Sequence, residues 1–158
     1  MYFINYLLAG LFSFFGLIFG IILVLIAPEE QKPGRKYFIL LQDLFFILAV
    51  ILFLFFLKID ILFIFSIIIL FIILILKIKI KDNFRKSELM YLILAIIFFL
   101  SFKNLGLFLI ESVLIFLFGM TAGSLLFDRK RRNYYAVVFR NIIFLAAALF
   151  LFFIAYFI

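Results

Sequence analysis

From Phe3 onward, long apolar runs alternate with short polar interruptions, and the runs are too long to be strands. The first spans Phe3 to Ala27 and halts at Pro28-Glu29-Glu30. A polar stretch from Glu29 to Lys36 follows, with Pro33-Gly34 as its turn signal. The second run covers Tyr37 to Leu57 and stops at Lys58-Ile59-Asp60. The third, Ile61 to Leu76, leads into the basic stretch Lys77 to Glu88, where Ser87-Glu88 reads as a helix cap. The fourth, Leu89 to Phe102, turns at Lys103-Asn104-Leu105-Gly106. The fifth, Leu107 to Phe127, meets Asp128-Arg129-Lys130-Arg131-Arg132, and the sixth fills Tyr134 to Ile158. A membrane-spanning helix takes roughly 17–25 residues. The pattern therefore predicts an all-α, polytopic integral membrane bundle of six transmembrane helices, a single transmembrane domain over 1–158.

The fourth run is short. Its 14 residues reach about 21 Å at ~1.5 Å per residue, against a hydrocarbon core of roughly 30 Å. Lys86 and Lys103 can snorkel, and the bilayer can thin locally. Charge parity keeps this run as a crossing. With six crossings, Lys32, Arg35, Lys36, Lys77, Lys79, Lys81, Arg85, Lys86 and Arg129 to Arg132 all share one side, leaving Lys58 and Lys103 for the other. The positive-inside rule then makes the basic loops cytoplasmic and puts both termini outside a cell membrane. Lys77, Lys79, Lys81, Arg129, Lys130, Arg131 and Arg132 are the residues expected to meet lipid headgroups. Short connections also lead one to expect consecutive helices to be antiparallel neighbours.

Composition agrees. Hydrophobic residues make up 71% of 158 positions and charged residues 15%, whereas soluble domains are roughly 45–50% apolar. The net charge of +7 sits in clusters flanking the runs and builds no continuous face, so it predicts a lipid bilayer as partner and no nucleic acid. The N-terminus has no positive leader ahead of its apolar run, which predicts a retained span, not a cleaved signal. Cys and His are absent. That removes disulfides, thiolate nucleophiles, imidazole bases and the usual zinc sites. The 28 Phe accompany many Ile and Lys, as AT-rich coding favours, so they signal no aromatic binding function.

A shift of 97 residues carries Arg35-Lys36-Tyr37-Phe38 onto Arg132-Asn133-Tyr134-Tyr135, and Leu52-Phe53-Leu54-Phe55-Phe56 onto Leu149-Phe150-Leu151-Phe152-Phe153. The helices preceding each segment carry Gly16/Gly20 and Gly119/Gly123. This predicts a duplicated helical hairpin, units 3–57 and 107–158 joined by a hairpin over 61–102. The copies would share orientation about an axis along the membrane normal.

The same glycine pairs are the helix-packing candidates. Gly at i and i+4 clears one face so that another backbone can approach, within the chain or in a homodimer. Asp43 is the first intramembrane polar candidate: Leu44 to Leu57 is only 14 residues, so the second span must take in Gln42 and Asp43. Arg140 falls opposite Asp43 under the repeat, which predicts an ion pair between the two halves. Glu111 enters the fifth span beside Ser112, either as a proton- or cation-binding carboxyl or as an interfacial Glu wetted by headgroups or paired with Lys58 or Lys103. Glu29-Glu30 completes no metal site, and no G-x-S-x-G, HExxH, P-loop or clustered aspartates appear. The sequence thus predicts a non-enzymatic structural or assembly subunit of a membrane complex, with a membrane protein partner and no cofactor. A small carrier or channel using Asp43, Arg140 and Glu111 is the alternative.

Overall fold

The computed structural model describes residues 3–56, 82–128 and 132–157, and every regular element among them is α-helical. In chain order these are α1 (Phe3–Ile26), α2 (Gln31–Phe56), α3 (Asn83–Ser101), α4 (Leu105–Leu126), α5 (Tyr134–Asn141) and α6 (Ile143–Phe157). Only Ile142 separates α5 from α6, and the hydrogen-bond ladder passes through it: its N–H donates to Val138 O and its carbonyl accepts from Ala146. The two form one rod. Four helices are long and apolar enough to cross a membrane: α1, α2, α4 and the α5–α6 rod from Tyr134 to Ala155. The expected third span, 61–76, lies outside the described residues, as do Lys77, Lys79, Lys81, Arg129, Lys130 and Arg131.

Two helix starts differ from expectation. α3 begins at Asn83, six residues before Leu89, because the Asp82 carboxylate caps it by accepting from the Phe84 N–H at 3.0 Å. Ser87 and Glu88 therefore lie inside the helix and do not cap it. Arg85, Lys86 and Glu88 near its start keep α3 out of the set apolar enough to span. α2 begins at Gln31, so Pro33-Gly34 occupies its first turn and breaks nothing. A proline there gives up an N–H that would have no partner within the helix anyway, and the Gly34 N–H already reaches Glu30 O at 2.9 Å.

α4 is the axis of the bundle. α1 lies along it, α2 and α3 flank it, and α6 packs on α3 and touches α1. Consecutive helices are not consistently neighbours. α1 makes no substantial contact with α2 across the link Ala27 to Glu30, nor α4 with the α5–α6 rod. The reason is the closeness of α1 to α4, described below, which leaves α2 to pack elsewhere on α4. The duplicated hairpin gains no support from this packing, since α2 rests chiefly on α4 while α6 rests chiefly on α3.

Helix ends sort into two sets. At one end, the Phe3 ring meets Phe152 and Phe153 at 5.2 and 5.7 Å, and Tyr6 meets Phe102 at 5.0 Å. This gathers the start of α1 and the ends of α3 and α6. At the other end, the Gln31 amide donates to Ser124 O and Phe127 O, and Ser87 donates to Asn141. Here lie the starts of α2, α3 and α5 and the end of α4. α1 and α4 consequently run parallel, and so do α3 and the α5–α6 rod.

Candidate functional site

The α1–α4 seam is built from small residues. A Cβ added at Gly20 would fall 2.9 Å from the Met120 carbonyl carbon, and one at Gly16 would fall 2.7 Å from that of Phe116. From the other side, a Cβ at Gly119 would sit 2.8 Å from Leu17 N, and one at Gly123 would sit 3.1 Å from Leu17 C. All four glycines thus face backbone, where no side chain can swing aside. The close approach lets hydroxyls bridge the helices. Ser13 donates to Ser112 O at 3.0 Å and Ser124 donates to Gly20 O at 3.1 Å. Lipid offers no hydrophobic gain for helix association, so dispersion and such bonds supply it. The two glycine pairs meet one another within a single chain, which leaves neither pair for a second copy.

Polar side chains elsewhere perform the same task. The buried Tyr6 hydroxyl donates to Ala148 O at 2.9 Å, and its ring packs against Phe98, Phe108 and Phe152. One residue of α1 thereby touches α3, α4 and α6. Buried Ser87 of α3 donates to Asn141 Oδ1 at 2.8 Å, and the Asn141 amide donates back to Val137 O. Asn133 closes the turn after α4: its amide donates to Leu126 O while its carbonyl oxygen accepts from the Asp128 N–H. Beside it, Arg132 is exposed and adopts φ 45°.

The intramembrane candidates do not converge. Arg140 Nε lies 3.4 Å from Glu88 Oε1 of α3, and its guanidinium stands 5.1 Å from the Phe84 ring centroid. The expected partner was Asp43. The correction follows from the packing, because α2 makes no substantial contact with α5. Asp43 is half-buried on α2 beside the buried Gln42. Glu111 has no exposed surface, and neither of its carboxyl oxygens has a hydrogen-bond partner among the described residues. That overturns the headgroup-wetted reading; Lys103 is exposed, and Lys58 lies outside the described residues. Glu111 precedes Phe118 by two helical turns and so shares its face. Phe118 stands against Phe46 of α2 at 6.2 Å and Tyr91 of α3 at 5.0 Å. The Tyr91 hydroxyl is likewise buried and without a hydrogen-bond partner among the described residues.

Comparison with protein families, curated proteins and solved structures finds no match to this chain.

One cavity, of about 70 Å³, opens at the basic end of the α2–α3–α4 crevice, lined by Arg35, Ile39, Gln42, Lys86, Leu125 and Leu126. It joins none of Asp43, Arg140 and Glu111 to another. No group of His, Cys, Asp or Glu suited to holding a metal occurs among the described residues. Sequence reasoning passed over Tyr6, Gln31, Tyr91 and Asn141, and took Ser87 only as a cap. For Tyr6, Tyr91 and Asn141 the available signal was a polar group within an apolar helix, which is costly in lipid unless it finds a partner.

Proposed function

We propose that the chain is an integral membrane protein serving as a non-enzymatic structural or assembly subunit of a membrane complex. The observation carrying this reading is the use of its buried hydroxyls. Ser13, Ser87, Ser124 and Tyr6 each bond to a neighbouring helix, which ties the helices together, and the cavity at the basic end joins none of Asp43, Arg140 and Glu111. Rows of large apolar side chains remain outside, as at Leu40, Leu44, Leu48, Ile51 and Phe55 of α2, available to lipid or to a partner helix. Affinity isolation of the full chain from its native membranes in mild detergent tests the reading. A stoichiometric membrane protein partner is expected, and recovery of the chain alone counts against it.

The finer topology belongs to the same proposal: six crossings in a cell membrane, basic loops cytoplasmic and both termini outside. It draws support from the two sets of helix ends, since Lys32, Arg35, Lys36, Arg85, Lys86 and Arg132 accompany helix ends of one set. α2 ends at the opposite end of the bundle from the start of α3, which favours a further crossing between them. The duplicated hairpin rests on the 97-residue sequence shift alone.

A second reading, a small carrier or channel, is favoured by one specific observation: Glu111 is enclosed with both oxygens unpartnered among the described residues. A buried carboxylate without a partner is costly, and at membrane depth such groups mark ion or proton pathways. No group of His, Cys, Asp or Glu suited to a metal surrounds it among the described residues, which favours a proton as the ion. Proteoliposomes loaded with a pH-sensitive dye test this. A proton flux abolished by Glu111→Gln supports the carrier, and the absence of flux in the unmodified protein removes it.

A further inference from the structure

The cavity at the basic end has a composition that the subunit and carrier readings leave unused. Arg35, Ile39 and Gln42 lie four and three residues apart on α2 and so share one face. Lys86 of α3 faces them, and Leu125 and Leu126 at the end of α4 form the apolar wall. Gln42 is 7% exposed and has no hydrogen bond among the described residues, yet it lines the cavity. It is a buried amide aimed into a space. Arg35 is exposed and forms no ion pair among the described residues. Asp43, the neighbouring acid, does not line the cavity.

We propose that this cavity binds a phosphoryl group. Guanidinium matches the paired oxygens of a phosphoryl group, and an ammonium adds a compact second charge. The Gln42 NH₂ donates to a third oxygen. The volume of about 70 Å³ exceeds the ~10–15 Å³ that a single water requires, so a small polar head enters while a bulky solute does not. Leu125 and Leu126 end α4, a helix long and apolar enough to cross a membrane, so a lipid phosphate can enter with its chains lying outside the bundle. Free phosphate offers the same chemistry. Only the lipid source rests on the membrane reading.

Native mass spectrometry of the full chain in detergent distinguishes the sources, with dioctanoylphosphatidylglycerol and inorganic phosphate as probes and a neutral galactolipid as the phosphate-free control. One saturable site for phosphatidylglycerol is expected, with no galactolipid bound. Arg35→Gln weakens it about tenfold or more, as loss of a charge-assisted hydrogen bond does. Gln42→Leu weakens it too, whereas Lys32→Gln, exposed on α2 and outside the cavity, leaves it unchanged. Inorganic phosphate binding alone with the same dependence on Arg35 and Gln42 makes free phosphate the ligand and keeps the site. The proposal falls if neither probe binds. It also falls if Lys32→Gln weakens binding as much as Arg35→Gln, or if Gln42→Leu folds and has no effect.

Discussion

Two side chains show how far burial, more than charge alone, decides what a polar residue contributes. Arg140 and Glu88 are 48% and 30% exposed, so water and headgroups screen their attraction. A double-mutant cycle with Arg140→Gln and Glu88→Gln should give a coupling of about 0.2–1 kcal/mol. The cycle of Arg140→Gln with Asp43→Asn should be additive within ~0.5 kcal/mol, and a larger coupling there would restore the pairing the sequence implied. Glu111 is the opposite case. Enclosed without a hydrogen-bond partner among the described residues, it costs stability that an apolar residue of similar bulk recovers. Glu111→Leu should therefore raise resistance to unfolding in an SDS titration by about 1–3 kcal/mol; a loss of stability would mean that the carboxyl has a stabilising partner. The sequence marked both positions as polar groups within apolar runs. It did not reveal their partners, because a partner depends on which helices become neighbours, and that is decided at the next scale.

Helix pairing in this chain is governed by how closely two backbones can approach. The Gly16/Gly20 and Gly119/Gly123 spacing was readable from the sequence, because an i, i+4 glycine pair leaves a groove on whichever helix carries it. Less readable was that the grooves would meet each other and leave α1 without substantial contact to α2, the helix joined to it by a short link. Short links limit distance, not contact, and the backbone fit outweighs proximity along the chain. Helix ends were misread for a related reason: Pro33-Gly34 and Ser87-Glu88 are terminus signals that a first turn and a helix interior also tolerate. The seam makes a sharp prediction. Gly20→Ala and Gly123→Ala drive a methyl into backbone and should each cost about 1–3 kcal/mol or more. Gly10 lies on α1 too, but a Cβ there would meet Leu145 and Phe98 side-chain atoms at 3.6 and 3.7 Å, ordinary contact. Gly10→Ala should be neutral or stabilising by up to ~1 kcal/mol through helix propensity. SDS titration of the three variants measures the contrast, and equal losses at all three would mean that the seam is not the tight contact.

At the scale of the whole molecule, the two sets of helix ends require every described loop to have a side. Ala27 to Glu30 and the start of α3 belong to one set, and the turn at Phe102 to Asn104 belongs to the other. Under the proposed topology, the basic residues near the first set put it in the cytoplasm by the positive-inside rule. The chain has no cysteine, so a single introduced thiol is the only target for a membrane-impermeant maleimide. Glu30, Arg85 and Lys103 are exposed, which makes Glu30→Cys, Arg85→Cys and Lys103→Cys well-tolerated reporters. In intact cells Lys103→Cys should label at once, while Glu30→Cys and Arg85→Cys should label only after permeabilisation. Arg85 is the decisive position. Protection of Arg85→Cys together with Glu30→Cys requires an odd number of crossings between α2 and α3, and hence an even total with both termini outside. Labelling of Arg85→Cys alongside Lys103→Cys would remove the crossing between α2 and α3 and make α3 an interfacial helix. The membrane sidedness of the basic end, and the lipid arm of the phosphoryl site, would then have to be redrawn from the helix pairs alone.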